Sequence, residues 1–78
     1  MHFTLADLPV GHFGVLASLD LPADGAGRLM EHGFLPGARV RHVRTAPGGD
    51  PRVFEVDGAQ VALRCETARH IILRGPPP

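Results

Sequence analysis

From His12 onward the hydrophobic pattern has a period of two, with Phe13, Val15, Ala17 and Leu19 on one side and the more mixed His12, Gly14, Leu16 and Ser18 on the other. A period of two predicts a strand, entered through the turn-forming stretch DLPVG at residues 7–11. DLPADGAG breaks the alternation. The spacing then becomes helical over residues 23–32, with Ala26, Leu29 and Met30 expected on the buried side. Gly25 and Gly27 each weaken such a helix by about 1 kcal/mol relative to alanine, so it depends on packing. Gly33 stands where a left-handed residue ends a helix, and Phe34 is placed to pack back on Leu29. Pro36 and Gly37 suit the central positions of a type II turn, the proline presetting the first φ and the glycine supplying the positive one.

A second strand, RVRHVRT, starts at Arg39. Val40 and His42 fall on one face and Val43 on the other, which predicts a bulge or a strand apolar on both sides. APGGDP, with Pro47, Asp50 and Pro51, reads as a loop. The strongest local pattern is RVFEVDGAQVALR. Asp57-Gly58 is a two-residue hairpin turn. It sets Val56 opposite Ala59, Glu55 opposite Gln60 and Phe54 opposite Val61, with Phe54, Val56, Ala59, Val61 and Leu63 on one apolar face. CETAR supplies one helical turn and HIILR a last short strand. These elements predict a mainly β fold: a small, bent barrel of about five short strands, one short helix and a helical turn before the last strand. One domain over residues 1–74 and a flexible proline-rich tail at 75–78 complete the expected layout.

Composition narrows the function classes. The chain has 78 residues and zero net charge, with eight arginines, no lysine and eight acidic residues. A nucleic-acid partner calls for a basic excess that is missing here. The single cysteine, Cys65, excludes an intrachain disulfide and suits a reducing, cytoplasmic setting. The amino terminus does not read as a signal peptide. No apolar run is long enough to cross a membrane, so direct membrane insertion is not expected.

No catalytic constellation is visible. Cys65 reads as a small apolar filler, and GAGRLMEHG lacks the Lys-Ser/Thr of a phosphate loop. The five histidines, at 2, 12, 32, 42 and 70, share no spacing that forces them onto one metal. No metal ligands are therefore assigned, and His42 is expected to face the core as a satisfied imidazole. Arg39, Arg41 and Arg44 read as a solvated strand edge, or else as a patch for an acidic partner. Arg64 is placed to pair with Asp50 and pin the GGDP loop.

LADLPVG at residues 5–11, RLMEHGFLPGARV at 28–40, APGGDP at 46–51, the turn at 56–58 and VALRCETARHI at 61–71 together resemble the FeoA family over nearly the whole chain. The resemblance implies an SH3-like barrel. It also implies a non-enzymatic, cytoplasmic accessory of bacterial ferrous iron uptake that docks on the FeoB-type transporter, through its GTP-binding domain, and modulates Fe(II) transport. The family's helix leucine corresponds to Leu29, which the resemblance assigns to docking; the bland alternative is a core leucine. Met30, Phe34 and Arg39 complete the expected partner-binding set. Gly33, Pro36, Gly37, Pro47, Asp50, Pro51, Asp57, Gly58 and Arg64 carry the structural motif. The family is described as transition-metal binding, but no cofactor is required here and no ligand set for Fe(II) is visible. His32 and His42 depart from the apolar residues usual in the family at those positions.

Two alternatives stand beside this expectation. One is a stand-alone SH3-like regulatory or metal-binding domain related to the C-terminal domain of iron-dependent repressors. The other is a metal carrier or sensor using histidine and Cys65. The oligomeric state stays open at this point: sheet edges of small barrels can pair into homo-oligomers, and the HIILR strand is a candidate.

Overall fold

A computed structural model describes residues 3–75. Most of the expected tail, and His2, lie outside the described residues. The chain forms strands β1 (Phe13–Leu19), β2 (Arg39–Thr45), β3 (Arg52–Val56), β4 (Ala59–Leu63) and β5 (Ile71–Leu73), with helices α1 (Ala23–Glu31) and α2 (Cys65–Ala68). Single 3-10 turns lie at Leu5–Asp7 and Pro47–Gly49.

The five strands form one antiparallel sheet in the order β4-β3-β2-β1-β5. The expected barrel is therefore a bent sheet that is not closed: among the described residues β4 and β5 do not pair. Register shifts at Ala17 in β1 and Val43 in β2 mark the bulges that let a small sheet curl over its own side chains. The bulge predicted from Val43 is present.

The β3–β4 hairpin has the predicted register at every position, from Val56 opposite Ala59 to Arg52 opposite Leu63. Its turn has positive φ at both Asp57 (52°) and Gly58 (80°), the primed geometry that matches strand twist. The apolar face is only partly interior. Phe54, Val56 and Leu63 are buried, whereas Ala59, next to the turn, is exposed.

The end of α1 is a complete Schellman stop. Gly33 N–H donates to the Met30 carbonyl and Phe34 N–H to the Leu29 carbonyl, both at 3.0 Å, with Gly33 at φ 98°. Phe34 is fully buried and joins Leu29 in the core. The type II turn follows, closed by Ala38 N–H to the Leu35 carbonyl at 2.8 Å with Gly37 at φ 91°. One residue of α1 departs from expectation. Met30 points outward at 41% exposure, and Leu29 is the helix's one buried side chain. Consecutive helix residues point about 100° apart, and with Leu29 turned into the core Met30 falls outside the face that the sheet covers.

The core gathers Leu5 and Leu8 from the amino-terminal segment, Leu16 from β1, Phe34 and Val40 around β2, Phe54 and Val56 from β3, and Ile71 and Leu73 from β5. His42 is buried among them as expected. Its Nδ1 lies 2.7 Å from the Leu8 carbonyl oxygen and its Nε2 lies 3.0 Å from Thr45 Oγ1. A carbonyl only accepts, so Nδ1 donates to it, and the threonine hydroxyl, able to donate or accept, completes the ring's partners at Nε2. The ring also packs on Phe54 at 4.9 Å between centroids.

One expected pairing and one expected placement are corrected. Asp50 does not reach Arg64. Its Oδ1 accepts the Cys65 backbone N–H at 3.0 Å, pinning the 46–51 loop to the start of α2, while Arg64 stays exposed. The carboxylate satisfies an N–H that the first helical turn leaves without a partner. Arg39, Arg41 and Arg44 are not on a sheet edge either, because β2 lies between β1 and β3. Their side chains occupy the outer face, where Arg41 bridges to Glu55 at 2.6 Å and Arg44 donates to Gln60 at 3.3 Å.

Candidate docking site

The stop at Gly33 decides where the chain re-enters the sheet. From Phe34 it crosses the type II turn, whose Gly37 N–H donates to the Leu16 carbonyl at 2.7 Å. Leu16 N–H in turn donates to the Ala38 carbonyl at 2.9 Å. The turn is thereby clamped to β1, and Arg39 opens β2 in an exposed position. On the other side, a Cβ at Gly33 would stand 3.4 Å from the Asp57 Cβ, so the helix end lies against the hairpin turn.

Two clefts flank this junction. One, about 450 Å³, is walled by Leu35 and Pro36 on one side and by Val56 and Asp57 on the other. The other, about 250 Å³, lies between Phe13 and the Arg41–Glu55 pair, with Gly58 at its end. Arg39 and Asp57 line both. The Arg39 guanidinium sits 4.0 Å above the centroid of the Phe13 ring, a cation–π arrangement that holds the arginine across the ridge between the clefts. Phe13 is 52% exposed and Leu35 48%, two of the four large apolar side chains most open to solvent among the described residues. The described residues hold one ion pair, Arg41–Glu55, so Arg39 and Asp57 both present charge that no opposite charge answers.

Of the expected partner-binding residues, Arg39 and Met30 are on the surface. Leu29 and Phe34 are interior, at 8% and 0% exposure, and Phe34 in particular offers a partner nothing to touch. Burial in the core is what a Schellman stop requires of its hydrophobic pair. Gly33, Pro36, Asp57 and Gly58 border the clefts, and Gly37 sets the turn beneath. Pro47, Asp50, Pro51 and Arg64 lie at the other loop, around α2.

Phe13 and Leu35 were not singled out from sequence. The signal for Phe13 was cross-strand. In the observed register Phe13 opposes Arg41 and Val15 opposes Arg39, so that side of β1 shares the arginine face while Gly14 and Leu16 turn inward. The pattern along β1 alone is apolar on both sides and does not choose between them.

Among the described residues the histidines and acidic residues do not assemble a metal centre. Among the described residues no three of His, Cys, Asp and Glu come close enough to share an ion. Both ring nitrogens of His42 are already engaged, and the Cys65 thiol faces the Gly49 carbonyl at 3.5 Å. The transition-metal binding implied by the family resemblance has no matching donor set in these residues.

The family model described as FeoA domain matches residues 3–75. No curated protein matches the chain. Among solved structures, the FeoA protein of Chlorobium tepidum superposes with a TM-score of 0.87 at 28% identity, over 91% of this chain and 68% of that one. The zinc-complexed FeoA of Stenotrophomonas maltophilia, described as a prokaryotic SH3 domain protein and a candidate ferrous iron transport activating factor, superposes at 0.79 with 36% identity, over 92% and 89%. A manganese-dependent transcriptional repressor superposes at 0.68 over 91% of this chain and 40% of its own. At 19% identity that likeness is one of fold alone.

Proposed function

The chain belongs to the FeoA family of SH3-like domains associated with ferrous iron transport, and from that premise we propose that it is a cytoplasmic accessory that docks on the FeoB-type iron transporter through the Arg39–Phe13 ridge and modulates Fe(II) uptake. One observation supports this face above others: an unanswered cation stacked on a half-exposed aromatic ring, between two open clefts. Arginine and aromatic side chains are the residue types that most often dominate protein interfaces. Leu35 and Pro36 add an apolar wall, and Asp57 a negative one, so the face can read both shape and charge. The domain's task is recognition, performed without chemistry of its own.

The test is binding of the purified protein to the GTP-binding domain of the transporter, in the presence and absence of GTP. Arg39→Glu and Leu35→Asp change exposed positions and leave the fold intact. Each weakens binding by about tenfold or more, the loss associated with an interface hot spot. Leu29 is unsuited to this test, because changing a buried core leucine destabilises the domain itself. Unchanged affinity in both folded variants would move docking away from the ridge.

A further inference from the structure

The sheet has two edges, and the chain treats them differently. The outer side of β5 is partly covered by the amino-terminal segment: Thr4 bridges to Ile72, and Leu73 N–H donates to the Phe3 carbonyl at 2.7 Å. The edge of HIILR, a candidate for self-association from sequence, is therefore occupied along this stretch. At the other end of the sheet, β4 has β3 on one side and, among the described residues, no strand on the other. Exposed edges are normally blunted by charge, proline or a bulge. β4 reads AQVAL, with no charge, no proline and an unbroken register.

From these features we infer that β4 is a self-pairing edge, through which two copies of the chain join as an antiparallel, two-fold symmetric pair centred on Val61. The register follows from the hairpin. A two-residue turn makes Val56–Ala59 a hydrogen-bonded pair, and the pattern alternates along the strands. Ala59, Val61 and Leu63 thus spend their backbone groups on β3, and Gln60 and Ala62 direct theirs outward. Two copies satisfy those groups together only if Gln60 of each faces Ala62 of the other, which places the two Val61 residues opposite each other on the axis.

Side-chain chemistry favours a second copy as the occupant. In a two-fold interface any charge near the axis meets its own kind. None is present on β4. Val61, half-buried at the margin of the core, would cover itself with its symmetry mate. At the two ends the register brings Asp57 of one copy diagonally beside Arg64 of the other. Both are exposed and neither belongs to the Arg41–Glu55 ion pair. The arginine that does not hold Asp50 thereby gains an acidic neighbour, twice over by symmetry. Zero net charge leaves no long-range repulsion to oppose the approach.

Sedimentation of the full chain from micromolar to about 1 mM tests this. A reversible monomer–dimer equilibrium is expected. Gln60→Lys with Ala62→Lys, both exposed positions, sets lysine against lysine and weakens dimerisation by about tenfold or more. Arg64→Asp weakens it by about threefold to tenfold through the paired ends. A second readout locates the axis. With Cys65→Ser as background, Val61→Cys oxidises to a covalent dimer and Gln60→Cys does not. A protein that stays monomeric at the highest concentration, a dimer indifferent to the lysine pair, or cross-linking that prefers Gln60→Cys each overturns the inference. A strand donated by another protein would show itself as the first of these.

Discussion

Two chemically identical substitutions in one helix and its stop should move stability in opposite directions. Gly33 holds φ 98°, where an L residue is strained. Placing a β-carbon in a left-handed conformation costs about 1–2 kcal/mol. The new atom would meet the Asp57 Cβ at 3.4 Å and the Val56 methyls at 3.8 Å, which is contact without collision. Backbone strain therefore sets the magnitude. Gly27 lies inside α1 with nothing within 4 Å of its missing β-carbon. There alanine removes the entropic cost of a helical glycine and gains about 0.5–1 kcal/mol. In a domain of this size about 1 kcal/mol corresponds to a shift of roughly 4–8 °C. Gly33→Ala should lower the thermal midpoint by roughly 4–16 °C and Gly27→Ala should raise it by roughly 2–8 °C, scaling the same ratio. Circular dichroism melts with a urea series on each variant give both numbers. If Gly33→Ala were as stable as the parent, or if both substitutions shifted the midpoint the same way, the Schellman geometry would not be what terminates α1.

Other outcomes follow from single contacts. His42→Leu keeps the volume but leaves the buried Leu8 carbonyl and the Thr45 hydroxyl without their ring partner, so urea unfolding should show a loss of about 1–3 kcal/mol. Asp50→Ala removes the acceptor of the Cys65 N–H and should cost about 0.5–2 kcal/mol. Arg64→Ala, measured at low micromolar concentration, should change stability by less than about 0.5 kcal/mol; a larger loss from Arg64 than from Asp50 would restore the pairing expected from sequence.

What the sequence disclosed was chiefly what is local. Asp57-Gly58 sets its own register, because a two-residue turn leaves the flanking strands one way to pair. Gly33-Phe34 announces its stop, because the conformation and the hydrophobic contact belong to adjacent residues. Val43 betrays its bulge by breaking alternation. Apart from Met30, the failures are non-local. Which side of β1 faces inward depends on β2, so Phe13 gave no sign of lying on the surface. The edge of β5 looked open until Phe3 and Thr4 were placed beside it, from the far end of the chain. Arg64 and Asp50 are opposite charges at a plausible separation, but the helix start at Cys65 claims the carboxylate first. The ridge itself needs the helix stop, the type II turn, β1 and the hairpin turn in one place, and no window of sequence contains all four.

α1 is anchored by one buried side chain of its own, Leu29, and through its stop by Phe34, and it carries two glycines. Local opening free energies track such sparse anchorage. Its amides should exchange with solvent deuterium well ahead of those of β2 and β3, two interior strands of the sheet paired on both sides. A partner seated on the ridge beside Gly33 would then leave a mark beyond its footprint: slower exchange along α1, in residues it never touches, because closing the last turn closes the helix behind it.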